Sequence, residues 1–423
     1  MNSSMNTLPA FHGKGHKGEP LARWLQSPTA PAPGMPSEIS EWRDIVDAAL
    51  RTGLAGLVLE RAAANTVDIP PSDAMPLRVF AGGVARANLH RSRELERIVG
   101  WFNHHRIPVM LLKGAALNLI LYDRPDLRPM SDLDLLVRFE DADRARRLLI
   151  FSGCRRGASL LRDDFFPRYY YETELYTDAD PPVRIDLHAR PFRPLRYSRI
   201  IADDNFWQDA KTVRIGQAVA LVPSIERMFI HLAAHAAFHG CERLIWLYDL
   251  VRLNQDAGRS LDWSRIIDLA RKWRLHGALH HALEKATELF GPFIPEDAAD
   301  TLSAYPVDWA DRLTLRQAPN DVGSPVFRLL CDLLCTPGMG FRLGYFRALL
   351  TPDPDHLASV YPHRHSGWTI VANVWRWLRV PIRMASSLMQ RVRRTVLGAH
   401  APYEPTAFST TTQPPVDAAV PGL

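Results

Sequence analysis

The feature that most constrains this chain of 423 residues is a pair of aspartates separated by one residue at the start of an apolar run. The run spans residues 132–137 and reads Asp-Leu-Asp-Leu-Leu-Val. In a strand, residues i and i+2 point to the same face, so Asp132 and Asp134 project together while Leu133 and Leu135 pack inward. Adjacent carboxylates are ligands that Mg²⁺ and Mn²⁺ prefer. The sequence therefore predicts a divalent metal site here.

A strand, a turn and a helix precede the aspartate pair. Residues 107–112 indicate a buried strand that ends at Lys113-Gly114, and residues 115–122 have a helical pattern. Glycine lets backbone amides approach a phosphate, and the start of a helix attracts anions. We therefore expect Gly114 and Ala115 to cradle phosphates. Lys113 is one of six lysines beside 45 arginines, and its compact charge suits a phosphate oxygen.

A third acid lies on another amphipathic strand at residues 183–188. Its odd-numbered positions are apolar, and its even-numbered positions are Arg184, Asp186 and His188. Residues 169–177 and a Pro-containing turn come before it, which predicts a hairpin that sets Asp186 beside the first pair. Three carboxylates around two metal ions would make a workable catalytic site.

Together these segments resemble the nucleotidyltransferase superfamily, in particular its uncharacterised bacterial branch. The resemblance covers residues 80–255 and rests on the Lys-Gly turn, on residues 128–137 and 185–188, and on the histidines and apolar run between 235 and 250. It implies an α/β (α+β) fold with a mixed-sheet palm flanked by helices and a helical second half.

The resemblance also implies roles for individual residues. Asp132 and Asp134 would hold metal ions, while Asp186 would help to bind the catalytic metal and to deprotonate the acceptor hydroxyl. The nucleotide-binding candidates are Lys113, Gly114, Ala115, Arg128 and Ser131. The superfamily usually has a serine after the glycine, so Ala115 removes a hydroxyl that would contact phosphate.

Arg128 lies close to the acids and is followed by Pro129. It can neutralise triphosphate charge, or it can form a salt bridge with a neighbouring carboxylate that orients the site. The sequence leaves both readings open.

Histidines at every fourth residue mark the other informative region, with His231, His235 and His239 followed by Arg243. This spacing predicts one polar helix face. Zinc binding lacks a supporting His-Glu-x-x-His motif or Cys pair. The remaining alternatives are a stripe that faces the catalytic cleft and a set of core histidines with buried polar partners. The substrate-facing candidates are His188, His235, His239 and Arg243.

Composition divides the chain further. We expect a disordered tail at 1–36, a helical segment at 37–105, a catalytic palm at 106–222, a helical domain at 223–352, a basic amphipathic segment at 353–402 and a second disordered tail at 403–423. The first residues lack the apolar core of a secretory signal. Four cysteines without zinc-type clustering agree with a reducing cytoplasm.

The basic segment combines arginines and tryptophans over residues 363–397 without an acid. Such a pattern suits an anionic membrane surface, a protein partner or a helix pair that packs on the body of the protein. The net charge of +5 comes partly from this segment, so it makes no strong case for nucleic acid. We expect a cytoplasmic protein, with peripheral contact at the inner membrane surface as an alternative.

The leading hypothesis is a Mg²⁺- or Mn²⁺-dependent nucleotidyltransferase. It would move a nucleoside monophosphate from an NTP to a hydroxyl or phosphate acceptor and release pyrophosphate. The competing hypothesis, motivated by Ala115, is a catalytically weak or inactive relative that binds a nucleotide or a partner in a biosynthetic pathway. The sequence selects neither the base nor the acceptor.

Overall fold

Seven strands form one mixed sheet at the centre of the molecule. The computed structural model describes residues 19–25, 39–157, 171–201, 203–255, 261–316 and 331–350. The strands are β1 (Val109–Leu111), β2 (Leu133–Val137), β3 (Arg155–Arg156), β4 (Glu172–Tyr176), β5 (Arg184–His188), β6 (Lys211–Ile215) and β7 (Ala218–Val222). Their order across the sheet is β3-β4-β5-β2-β1-β7-β6.

Parallel pairing at two places makes the sheet mixed. β2 pairs parallel to β5, and β1 pairs parallel to β7, whereas every other neighbouring pair is antiparallel. The predicted hairpin is the antiparallel pair β4–β5. β2 is buried along its whole length, as expected for a central strand with apolar side chains on both faces.

Helices surround the sheet and make up the second half of the described chain. They are α1 (Glu19–Leu25), α2 (Ile39–Thr52), α3 (Ala55–Ala64), α4 (Pro71–His104), α5 (Lys113–Ile120), α6 (Ala142–Phe151), α7 (Leu195–Ile200), α8 (Asp203–Trp207), α9 (Ile225–Phe238), α10 (Leu244–Gln255), α11 (Trp263–Lys272), α12 (His276–Phe290), α13 (Glu296–Ser303), α14 (Trp309–Arg316) and α15 (Met339–Leu350). The predicted mixed-sheet palm flanked by helices, with a helical second half, is confirmed.

Three helices pack directly on the sheet. α5 contacts β2, α6 contacts β5, and the 34-residue α4 contacts β6 and β7. Their buried residues join those of the strands and of α9–α12 in one hydrophobic core. Burial of this apolar surface is the main favourable contribution to folding.

Helix α1 corrects the prediction that residues 1–36 are disordered. Residues 19–25 are helical, and Leu21, Trp24 and Leu25 are buried. Trp24 meets Trp42 of α2 edge to face, with ring centroids 5.0 Å apart. The prediction missed this helix because Gly, Pro and His dominate the composition around it. A helix this short is stable only when it packs against another element, here α2.

The remaining predictions for the ends of the chain concern the rest of 1–36, the basic segment 353–402 and the tail 403–423. They lie outside the described residues. Within the described residues, no helix is both long enough and apolar enough to cross a membrane.

Candidate functional site

Sheet pairing brings the three candidate acids together. Asp134 of β2 lies directly opposite Asp186 of the parallel strand β5, so their backbones are one strand spacing of about 4.8 Å apart. Asp132 immediately precedes β2 and, two residues before Asp134, projects to the same face. Asp134 and Asp186 are buried, whereas Asp132 is half-buried.

Two neighbouring side chains contact the carboxylate of Asp134. Lys113 Nζ donates to its Oδ1 at 2.7 Å, and Nε2 of His188 lies 2.8 Å from the same oxygen. Burial favours a protonated carboxyl, but the Lys113 ammonium and the His188 hydrogen bond outweigh it and hold the pKa of Asp134 well below its usual range. Asp134 is therefore an ionised carboxylate at neutral pH.

Asp186 has a different environment. Arg184 donates to both of its carboxylate oxygens at 2.9 Å. Burial and the nearby charges of Glu172, Asp132 and Asp134 nevertheless raise the pKa of Asp186. Burial and Asp134 also raise the pKa of Asp132. This crowding of carboxylates is electrostatically costly unless cations compensate it.

Two further acids of β4 belong to the same face, and our sequence reasoning missed them. Glu172 pairs with His188 in register, and Glu174 pairs with Asp186. Glu172 Oε2 lies 3.6 Å from His188 Nε2. The alternation of residues 172–176 was a signal for a strand, but only the pairing with β5 reveals which face its acids share.

The donor chemistry fits a hard divalent cation. Asp132, Asp134 and Asp186 offer only oxygen atoms, which Mg²⁺ and Mn²⁺ prefer. Among the described residues, however, no group of three or more His, Cys, Asp or Glu side chains stands in a ready metal-binding arrangement. Instead, Lys113 forms an ion pair with Asp134, and Arg184 forms one with Asp186. A bound cation would compete with these ion pairs for the carboxylate oxygens.

The predicted strand–turn–helix unit is present, with α5 beginning at Lys113 rather than at Ala115. Lys113 adopts a φ of +45°, which is uncommon for a residue with a side chain. The turn thereby brings the ammonium back over β2 to Asp134. The side chain of Lys113 thus reaches the acid cluster. Its main chain begins helix α5, and the first amides of that helix lack intrahelical partners.

Gly114 and Ala115 are both buried and lie in contact with the protein interior. A Cβ at Gly114 would come within 2.7 Å of Arg128 Nη1 and 3.3 Å of Met130 Cγ, so close packing requires the glycine. The Ala115 side chain is 1% exposed and belongs to the hydrophobic core. A serine hydroxyl in this position would therefore be buried in apolar surroundings, away from a ligand.

Arg128 forms the salt bridge that the sequence left open as an alternative. Its Nε and Nη2 donate to Asp249 of α10 at 2.9 and 2.7 Å, and both residues are buried. The hydroxyl of Tyr122 donates to the same carboxylate at 2.8 Å. Such a planar two-point contact fixes the guanidinium beside Gly114.

Asn88 of α4 completes this network and was missed at the sequence level. Its amide nitrogen donates to the carbonyls of Pro125 and Arg128, and its oxygen accepts from the Met130 amide. The side chain is 2% exposed. Asn88 therefore fixes the loop that leads into the acids, a role that depends on contacts 37 to 42 residues away.

Ser131 lies at the end of that loop. Its hydroxyl donates to Asp132 Oδ1 at 3.0 Å. This hydrogen bond favours the ionised form of the half-buried Asp132. Ser131 thus acts on the aspartate pair in this structure.

The histidine stripe faces a small pocket beside the acid cluster. His231, His235 and His239 line it together with Lys113 and His188, which agrees with the cleft-facing alternative. Burial, followed by nearby cations, lowers the pKa of all three stripe histidines, to about 3 for His231. They are neutral rings at neutral pH.

Arg243 departs from the predicted helix face. Helix α9 ends at Phe238, and Gly240 and Cys241 adopt positive φ values before α10 begins at Leu244. Arg243 stacks over the ring of Trp246 at 5.1 Å. It does not line the pocket, because the chain turns away between the two helices.

Comparisons with known proteins identify the family of this chain. A family described as an uncharacterised nucleotidyltransferase matches residues 38–291, which include every strand of the sheet and the histidine stripe. A solved antigenic nucleotidyltransferase-like protein from Paracoccidioides brasiliensis is similar at 15% identity, with 48% of this chain and 96% of that chain covered and a TM-score of 0.29. No curated protein matches the chain. The family match spans well over half of the residues, and the chain belongs to the uncharacterised nucleotidyltransferase family.

Proposed function

We propose that the protein is a metal-dependent nucleotidyltransferase that moves a nucleoside monophosphate from an NTP to a hydroxyl or phosphate acceptor and releases pyrophosphate. The observation that carries the proposal is the alignment of Asp134 with Asp186 across β2 and β5, with Asp132 two residues away. Membership of the family supports it.

Asp132, Asp134 and Asp186 would hold Mg²⁺ or Mn²⁺. When bound, the metal supplies charge neutralisation and activation of the attacking oxygen. Without a metal, burial and the neighbouring carboxylates raise the pKa of Asp186. A bound cation would favour the ionised form of Asp186, which is the form that can accept the proton of the acceptor hydroxyl.

The turn at Lys113 supports nucleotide binding. The start of α5 offers main-chain amides and the positive end of the helix dipole to phosphate. Lys113 is buried against Asp134. If Lys113 exchanged Asp134 for a phosphate oxygen, an incoming triphosphate would gain a cationic contact. Arg128 and Asn88 would act indirectly, by holding Gly114 and the loop in position.

A second candidate is a relative that binds a nucleotide or a biosynthetic partner without turnover. The ion pairs Lys113–Asp134 and Arg184–Asp186 favour it, because internal cations already compensate two of the three carboxylates. The two candidates share a fold and differ only in whether the acids exchange these partners for a metal ion.

Incubation with NTPs labelled at the α-phosphate separates the two candidates. The protein, Mg²⁺ or Mn²⁺, and a lysate as acceptor source should yield labelled product and pyrophosphate, and a chelator should abolish both. NTP binding without label transfer in any of the four NTPs would favour the binding protein.

We expect the reaction to take place in the cytoplasm, where NTPs are supplied. All four cysteines are free thiols, which suits a reducing compartment. Contact with the membrane surface or a protein through residues 363–397 remains a separate proposal, and deletion of that segment followed by membrane partitioning tests it.

A further inference from the structure

The pocket beside the acid cluster contains two histidine rings with buried nitrogen atoms that have no hydrogen-bond partner among the described residues. Its polar lining consists of Lys113, Tyr171, His188, Arg193 and the histidine stripe His231, His235 and His239. We call it the histidine pocket. Its enclosed space of about 20 Å³ admits one water-sized atom, so an oxygen of a ligand can enter it while the rest of the ligand lies at its open side.

His231 is the most informative of these residues. It is 3% exposed, and within the described part of the chain neither ring nitrogen has a hydrogen-bond partner. The rings of Phe192 and Phe206 flank it at 5.4 and 5.7 Å. Burial of an unsatisfied polar group costs free energy, so a ligand that bonds to His231 would relieve an existing penalty.

His188 presents a second such atom. Its Nε2 contacts Asp134, but its buried Nδ1 has no hydrogen-bond partner among the described residues. Both histidines line the same pocket. Two buried rings with unused nitrogens therefore converge on one small space.

The charges around the pocket select the kind of ligand. Lys113 and Arg193 are cations, and none of the described residues that line the pocket is acidic. Arg193 Nη1 lies 3.5 Å from His239 Nδ1. The nearest carboxylate of the site, Asp134, is already bonded to Lys113 and His188. An anion that accepts hydrogen bonds suits this lining better than a neutral or cationic group.

The pocket is distinct from the turn that would hold the triphosphate. Gly114, Ala115, Arg128 and Ser131 are absent from its lining, and Lys113 is the one nucleotide-binding candidate that both regions share. An anion in the histidine pocket can thus contact Lys113 without contacting Gly114, Ala115, Arg128 or Ser131.

We infer that the histidine pocket binds the anionic group of the acceptor, in the chemical class of phosphate monoesters, with His231 and Arg193 as its main contacts. This inference rests on the proposed function, because it assigns the second substrate of the same site. The acceptor is then a small phosphorylated molecule whose hydroxyl or phosphate points toward Asp134 and Asp186.

Binding of inorganic phosphate to the full chain, measured by calorimetry without NTP or metal, tests the inference. The wild type should bind saturably, and His231→Phe and Arg193→Gln should each weaken binding about tenfold or more. The matched control is His104→Gln, at an exposed histidine outside the pocket, which should bind as the wild type does. The two variants alter different elements, so a folding defect in one leaves the other informative. No saturable binding by the wild type, or unchanged binding by both variants, would overturn the inference.

A second titration, in the presence of a saturating non-hydrolysable NTP and Mg²⁺, identifies the source of the anion. An unchanged phosphate affinity supports the acceptor, whereas a rise of about tenfold in the apparent dissociation constant would assign the pocket to the triphosphate and overturn our assignment. Neither titration depends on turnover, so failure of label transfer affects the proposed function alone.

Discussion

At the scale of single residues, Lys113 connects the acid cluster, the start of α5 and the histidine pocket. Its contact with Asp134 places one cation against one buried carboxylate. Removal of one partner of a buried pair is costly because the other charge is left uncompensated. Lys113 therefore stabilises the folded protein by compensating the charge of Asp134.

Lys113→Met should lower the free energy of unfolding by about 3 kcal/mol at neutral pH. Asp134 has a depressed pKa in the folded state, so its stabilisation is complete above its unfolded value of about 3.9 and is lost as the pH falls through the lower folded value. The difference in the free energy of unfolding between variant and wild type should become smaller below about pH 4. Urea unfolding between pH 3 and pH 8 measures this difference. An exposed lysine, Lys211, provides the control Lys211→Met, which should change little. An equal loss at all pH values would contradict this account.

At the scale of elements, the loop between α5 and β2 sets the position of the acids. Asn88 holds three of its main-chain groups, and Arg128 ties it to α10 through Asp249. The strands β1, β2, β4 and β5 and the helix α5 could be predicted from alternation and spacing, because those signals are local. The roles of Asn88 and of Glu172 could not, because each depends on pairing with distant residues.

Asn88→Leu should reduce the free energy of unfolding by about 2–3 kcal/mol, since buried main-chain groups lose their partners. Chemical denaturation checks the value, and the KM for NTP should rise if the loop shifts. Asn103 also bonds to main-chain groups, the amide and carbonyl of Val219, but at the exposed surface. Water can replace those bonds, so Asn103→Leu should cost less than about 1 kcal/mol. Equal losses in the two variants would show that burial of the loop contacts is unimportant.

A pair of glycine substitutions tests the contact between α5 and this loop. Gly114→Ala places a Cβ against the Arg128 guanidinium, which cannot move away freely because Asp249 holds it. It should destabilise the protein by about 1–3 kcal/mol. Gly83 lies within α4 and has open space around it, so Gly83→Ala should stabilise by about 0.5–1 kcal/mol. Thermal unfolding of both variants measures these changes in stability. An unchanged stability of Gly114→Ala would contradict the close contact between Gly114 and Arg128.

At the scale of the whole molecule, α1 joins segments that are far apart in sequence. It contacts α2, α3 and α12, so the first described helix packs against one more than 250 residues later. Composition hid this helix because its neighbours are rich in Gly and Pro, and its stability comes from tertiary packing rather than from propensity.

Leu21→Ala tests whether α1 belongs to the cooperative fold. Leu21 is fully buried, so its truncation should cost about 2–4 kcal/mol in the free energy of unfolding. Leu89 is 50% exposed on α4, and Leu89→Ala should cost less than about 1 kcal/mol. Denaturation followed by circular dichroism measures both. A negligible effect of Leu21→Ala would mean that α1 docks independently of the core.

The most direct test of the central claim is label transfer from an α-labelled NTP by the double variant Asp132→Asn, Asp134→Asn. Folding is confirmed by circular dichroism, and the control Asp68→Asn alters an exposed aspartate outside the site. Our account predicts that transfer and pyrophosphate release fall about a thousandfold in the double variant and stay at the wild-type level in the control. Wild-type transfer by the folded double variant would contradict the assignment of these aspartates to catalysis.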